Sequence, residues 1–484
     1  MSHRAALVTL LTLTLASAPT MTSAETLDRS KRPPVGPAPQ LVAPPVVKRT
    51  LGNGLAVWIV ERHQLPQATF VLQIPAGSSV DPKPGVAAMT AALLDDGTSK
   101  HSAREFVNAV DFLGASLFAG CDEEKTVVTL GTLTKHLDQA LPLMGEMVTQ
   151  PKFLDEEVER DRKSRLQSLK QQRDQPTLVA NQVFQRVVYG DQHPYGRPLM
   201  GTPESVSSIK RDELAAFHDR YYVPNGATLI VVGDVTEKDL MPRLESAFGA
   251  WKPAKDAGVA AAPPARPASK PIGVYLVDKP GAAQSEVRIG QPGAARTTTP
   301  DYYALQVLNM LLGGQFTSRV NLNLRERHGF TYGARTAFTF RRGEGPYYAS
   351  AGVFTAKTDS SVTEFLRELK DLRGPRPATQ EETDMAKNGL IRSYPRRLET
   401  NDGVAGVLSE LAFYGLNESE ITNYNQRIAE VTPDEVTRVA KKYITPESLA
   451  VVIVGDVARI KPGIEALAVG PIKVLDADGK EVTP

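Results

Sequence analysis

Cysteine is almost absent from this chain: Cys121 is the only one in 484 residues. One thiol cannot form an intrachain disulfide, so stability is expected to come from apolar cores alone. Cys121 is also a poor candidate nucleophile. Asp122, Glu123 and Glu124 follow it and disfavour the thiolate. Surplus charge is missing too. Lys and Arg number 56 against 55 Asp and Glu. Without residues 1–24, which hold Arg4 and no acid, the two balance at 55 each. That excludes the basic surplus typical of nucleic-acid binders. No run after residue 24 is apolar enough to span a membrane. There is no Gly-x-Ser-x-Gly elbow, no P-loop and no dinucleotide fingerprint. The seven histidines are His3, His63, His101, His136, His193, His218 and His328, and no two of them can share a helical turn. Any zinc site would have to be assembled from distant segments.

What the chain does contain is enough length for two or more domains. Residues 1–24 read as a secretory signal. Arg4 supplies the positive start, Ala5 to Ala18 the apolar stretch, and Thr22-Ser23-Ala24 the small residues before a cut at Glu25. The apolar run is short for a membrane anchor. Export is therefore expected, into the periplasm if the source is Gram-negative. Residues 25–45 form a Pro-rich arm, 251–271 an Ala/Pro-rich linker, and 471–484 a tail. The two remaining blocks are 46–250 and 272–470.

Those blocks repeat one another. Tyr221-Tyr222-Val223-Pro224 precedes Leu229 to Val235, and Tyr443-Ile444-Thr445-Pro446 precedes Val451 to Val457. The Tyr, Pro, Gly, Asp and Val of these segments coincide at one offset of 222, while Gly77/Gly293 and Gly97/Gly313 are 216 apart. A near-constant offset across separate anchors indicates a duplicated domain. Strands are expected at 55–60, 69–74 and 125–130, and helices at 85–94, 154–172 and 176–188. Short strands close together in sequence favour antiparallel pairing, so the class is α+β. Pro346 to Val353 reads either as a substrate-side edge strand or as interior sheet.

Two motifs carry the functional argument. The first is Gly85-Val86-Ala87-Ala88-Met89-Thr90-Ala91-Ala92, followed by Gly97-Thr98. Positions i, i+3 and i+4 share one helical face, and here that face holds Ala88, Ala91 and Ala92. The second is Leu311-Leu312-Gly313-Gly314-Gln315-Phe316, then Leu324-Arg325-Glu326 to Thr331-Tyr332-Gly333. Together these resemble the pitrilysin/insulinase family of zinc peptidases, over about Val46 to Leu467. In that family the first motif is His-x-x-Glu-His, so Ala88, Ala91 and Ala92 stand where two ligands and the general base would be. The third ligand, a Glu about 75 residues on, falls at Gln167 or Ser168. A methyl group neither ligates zinc nor accepts a proton.

The resemblance implies two duplicated domains in a clamshell-like pair, each a mainly antiparallel sheet with helices packed on it. It implies that Tyr332 donates to the scissile carbonyl or the developing oxyanion and that Arg325 orients peptide or Tyr332. Gly313 and Gly314 would form a turn that lets peptide backbone pass; a plain helix C-cap is compatible with this. Without the resemblance, Arg325 reads as an exposed helix charge and Tyr332 as a half-buried strand residue. Some relatives work as heterodimers, one chain holding zinc and the other the Arg/Tyr pair. The expectation is thus a non-catalytic subunit with no metal of its own. Its partners would be a zinc-bearing homologous subunit and peptide substrates. The alternative is a scaffold or peptide-binding protein of the same fold. A stand-alone zinc peptidase fits least, because four groups are missing together.

Overall fold

The computed structural model describes residues 36–37, 39–254, 264–265, 267–268 and 270–482. The expected signal, the first part of the arm and the centre of the linker lie outside them. The first half forms one six-stranded sheet from β1 (Val47–Thr50), β2 (Ala56–Glu61), β3 (Gln67–Ile74), β4 (Ser116–Cys121), β5 (Thr126–Leu133) and β6 (Thr228–Gly233). The second half forms another from β7 (Gly273–Asp278), β8 (Gln284–Pro292), β9 (Thr331–Phe338), β10 (Pro346–Phe354), β11 (Ala450–Gly455) and β12 (Ile472–Leu475). The orders are β1-β2-β6-β3-β5-β4 and β12-β7-β11-β8-β10-β9. Five strands correspond in order, which is the duplication seen as topology. Antiparallel pairs dominate; β2–β6, β7–β11 and β7–β12 are parallel. The class is α+β, as expected. Residues 471–484 contain β12, so the second sheet reaches into the segment read as a tail. β10 lies between β8 and β9, which settles Pro346 to Val353 as interior sheet.

The helices that matter for the site are α1 (Val86–Ala92), α2 (Asp155–Gln172), α3 (Pro176–Tyr189) and α4 (Asn401–Tyr414). The central strands are buried on both faces, and the two faces meet different halves of the chain. On β3 and β6, Phe70, Leu72, Leu229 and Val231 join the core of the first half. Their neighbours Val71, Ile230 and Val232 pack instead against Val404, Val407, Leu408 and Leu411 of α4, which belongs to the second half. Polar groups along the same contact are paired: Thr69 donates to Asp402 (2.7 Å) and Ser409 to Gln73 (2.8 Å).

The arrangement is reciprocal. Val452 and Val454 of β11 pack against Val179, Val183 and Phe184 of α3, from the first half. Arg288 of β8 donates to Asn181 (2.8 Å). Each exchanged helix has defined ends. Pro176 opens α3, where its missing N–H costs nothing. Thr400 caps α4 by accepting from Gly403 N–H (3.0 Å), and Gly415 ends it in the left-handed region. The β4–β5 and β9–β10 turns also meet. The Tyr195 hydroxyl donates to Glu124 (2.5 Å) and accepts from Gly343 N–H (3.1 Å), while Arg342 N–H donates to Glu124 (3.0 Å). Among the described residues no helix is long and apolar enough to cross a membrane.

Because each half lends a helix to the other, the halves are expected to unfold together. Leu408, fully buried on the first sheet from the second half, should cost about 2–5 kcal/mol on truncation to Ala. Calorimetry should give one transition in both wild type and Leu408→Ala. Two resolved transitions would contradict the interlock.

Candidate functional site

Helix α1 forms where the sequence places it. Asp81 accepts from Gly85 N–H (2.9 Å) and Ala87 N–H (2.7 Å), which caps its start. Met89 is fully buried in the core of the first half. Ala91 is buried, Ala88 half-buried and Ala92 exposed. Beside this face stands a residue that sequence reasoning missed. Arg165 of α2 is buried, with Nε 3.1 Å from Asp161, Nη1 3.3 Å from Met200 Sδ and Nη2 3.4 Å from the Ala88 carbonyl. Ser168, one turn further along α2, is half-buried, while Gln167 is exposed. No spacing rule flags a lone Arg on a charged helix, so Arg165 left no signal in sequence.

This face does not fit a zinc ion. Its three methyl groups offer no donor, and the Arg165 guanidinium donates to the Ala88 carbonyl, which adds positive charge beside the helix. Among the described residues no group of three or more His, Cys, Asp or Glu is gathered to hold a metal. Two of the described histidines have clear local roles. His218 is buried and bonds the Val148 carbonyl (2.8 Å). His193 Nδ1 accepts from Tyr195 N–H (3.1 Å). Cys121 has its thiol pushed up to about 12, first by burial and then by Asp81 and Asp122. Burial therefore outweighs the neighbouring acids that the sequence suggested as the cause.

The second motif is built around β9. Met310–Gly314 and Leu322–Arg327 are wide, π-type helical turns, a form frequent at functional sites. The glycine pair divides. Gly313 is buried against the backbone of Thr336, where a Cβ would collide, so it packs the turn onto β9. Gly314 is exposed. Arg325 lies on the second wide turn, with its side chain 41% exposed. Gly329, at φ 63°, donates to the Arg325 carbonyl (3.0 Å) and turns the chain into β9. Tyr332 follows and is 77% exposed. It is far more open than the half-buried strand residue read from spacing alone.

A bulge sets the direction of Tyr332. Ala334 pairs with Ala351 and Thr331 with Val353, so Tyr332 and Gly333 together oppose Gly352. Bulges of this kind re-aim side chains and are common beside active sites. The Thr331 hydroxyl holds the bulge by donating to the Gly352 carbonyl (2.7 Å) and accepting from Gly333 N–H (3.1 Å). Two aromatic neighbours complete the surface. Phe316 lies under the Arg325 guanidinium (4.7 Å), and Phe354 meets Tyr332 edge to face (6.0 Å between ring centres). Phe316 lay within the motif but had no role assigned from sequence.

The β4 and β9 edges differ. β9 is covered: Ala334 N–H donates to Asn321 Oδ1 (3.2 Å), and Gly313 packs on Thr336. Among the described residues β4 pairs with β5 alone. A cavity of about 840 Å³ lies on that side of the first sheet, lined in part by Ser116, Phe118, Thr129, Leu133 and Asn401.

Two outcomes are expected of the α1 region. Ala88→His, Ala91→Glu, Ala92→His and Ser168→Glu combined should leave the chain without stoichiometric zinc while Arg165 remains. Adding Arg165→Val should raise the zinc content, measured by elemental analysis after dialysis. Equal zinc in both variants would remove Arg165 from the argument. Asp81 gives the second. Burial pushes its carboxyl up to about 7, against the opposing pull of the two N–H bonds. A folded value above the unfolded one means that its contribution is complete below about pH 4 and lost as pH rises through 7. Across that window the wild type should lose up to about 4 kcal/mol relative to Asp81→Asn, read by urea unfolding.

Comparison with known proteins identifies the family. A profile of the insulinase family (peptidase family M16) matches residues 56–203, and one of the peptidase M16 inactive domain matches 208–390. A protein of Streptomyces coelicolor described as an uncharacterized zinc protease is 26% identical over 413 residues, 82% of this chain and 86% of that one. A crystal structure of a peptidase M16 inactive domain from Pseudomonas fluorescens superposes with a TM-score of 0.78 at 26% identity, covering 85% of this chain and 98% of that one. A Helicobacter pylori protease matches in fold, with a TM-score of 0.80 at 22% identity, covering 86% of this chain and all of that one. The chain therefore belongs to the M16 (insulinase) peptidase family, with a second half of the inactive-domain type.

Proposed function

We propose that the chain is the non-catalytic, substrate-binding subunit of an exported heterodimeric zinc peptidase. In this reading a homologous partner holds the zinc, and Arg325 and Tyr332 reach that site in trans to assist peptide-bond hydrolysis. The observation that carries it is the contrast between two surfaces of one chain. The α1 face holds methyl groups, with the Arg165 guanidinium on the Ala88 carbonyl, whereas Arg325 on its wide turn and Tyr332 on the bulged strand are open to solvent. A phenol aimed at developing negative charge stabilises the transition state more than the ground state. The subunit has no zinc of its own and no general base, so it is inert alone.

Peptide capture uses β-addition, which reads backbone and tolerates varied side chains. The unpaired side of β4, next to the 840 Å³ cavity, supports that mode on the first half. The composition of residues 1–24 supports export.

The test is peptide hydrolysis with zinc quantification, on the chain alone and mixed with a homologue carrying His-x-x-Glu-His from the same organism. The chain alone should be inactive and the mixture active. Tyr332→Phe should lower the rate of the mixture about 10²–10³-fold. Activity and stoichiometric zinc in the chain alone would overturn the reading. A mixture indifferent to Tyr332→Phe would favour a scaffold of the same fold.

A further inference from the structure

Arg325 and Tyr332 sit on different elements, and nothing in a seven-residue spacing keeps their tips in register. A buried side chain, Asn321, adds a link between the turn that carries Phe316 and β9. Asn321 is 4% exposed. Its Nδ2 donates to the Phe316 carbonyl (2.7 Å), and its Oδ1 accepts from Ala334 N–H (3.2 Å). One amide thus fixes the turn that carries Phe316 to the strand that carries Tyr332. The Phe316 ring in turn lies under the Arg325 guanidinium at 4.7 Å. Phe316 is 57% exposed, so burial does not account for a large aromatic there. A face offered to a cation does. The Arg325 head group also meets Glu326, its chain neighbour, at 3.3 Å, and Glu326 is itself 46% exposed. A pair so exposed fixes little geometry.

We infer that Phe316 and Asn321 are positioning residues: Asn321 locks the Phe316 turn onto β9, and the Phe316 ring holds Arg325 in register with Tyr332. The inference rests on the trans-acting reading for its effect on rate, but its geometry belongs to this chain alone. Replacing the ring by an aliphatic side chain frees the guanidinium to wander without touching substrate or zinc. Replacing Asn321 by Leu keeps its bulk, removes both bonds and loosens the Phe316 turn against β9.

Two readouts separate this inference from the function it deepens. The first uses the chain alone with isotope-labelled arginine. Ring current from Phe316 should displace the Arg325 side-chain resonances. Phe316→Leu should return them to solvent values, whereas Phe316→Trp, which keeps a π face, should preserve the displacement. Asn321→Leu should reduce it while the melting transition remains cooperative. The second uses the mixture with the zinc-bearing homologue. Phe316→Leu should lower kcat about two- to fivefold, as expected for an exposed cation–π contact. KM should stay unchanged, and Phe316→Trp should rescue the rate. In an Arg325→Gln background Phe316→Leu should have no further effect. Undisplaced Arg325 resonances in the wild type, or an equal loss in the Arg325→Gln background, would overturn the inference. A displaced resonance with an inactive mixture would leave the positioning intact and defeat the trans-acting reading.

Discussion

The structure depends on an exchange. The first half covers the second sheet with α3, and the second half covers the first sheet with α4. Each sheet has a layer of its own helices on one face and a borrowed helix on the other. Pulling the halves apart would expose two apolar faces at once, at roughly 25 cal/mol for every Å² uncovered. Neither half can therefore present its sheet without the other. Duplication explains why the exchange is symmetric: the same helix of the same repeat is lent in both directions.

That rigidity has a consequence for the candidate site. The turns meeting at Glu124, Tyr195 and Gly343 add a second tie between the halves. Burial raises the Glu124 carboxyl above its ordinary value even as Tyr195 donates to it, so this tie sits in a dry environment. With two ties inside the chain, large relative motion of the halves is disfavoured. In the proposed heterodimer, substrate admission would then fall to movement between chains, where an outward surface such as that of Arg325 and Tyr332 would act.

Sequence revealed the repeats, because anchors such as Gly233/Gly455 and Pro224/Pro446 hold one offset. It revealed the class and the three strands and three helices it placed in the first half, because local patterning sets them. It did not reveal the helix exchange. Strand β3, buried on both faces, reads only as a buried strand; alternation of Phe70 and Leu72 with Val71 and Gln73 does not say which helix covers which face. Nor did it separate Gly313 from Gly314, since the collision that makes Gly313 necessary comes from Thr336 on a later strand. Arg165 and Asn321 were invisible for the same reason. Their meaning lies in partners 77 and 13 residues away.

The frame of the first motif persists without its chemistry because the two obey different constraints. Gly85 and Gly97 have φ values of 99° and 108°, a region that side chains resist whatever the protein does. The fold needs them. Positions 88, 91 and 92 need only be compatible with a helix, and alanine is the residue most favourable to one. Losing ligands there costs the fold nothing. Tyr332 is the reverse case. At 77% exposure it contributes little to the core, and the bulge that turns it outward breaks the regular pairing of β9 with β10. An exposed phenol on an irregular strand adds little to the fold, and the proposed function accounts for it by what approaches from outside the chain.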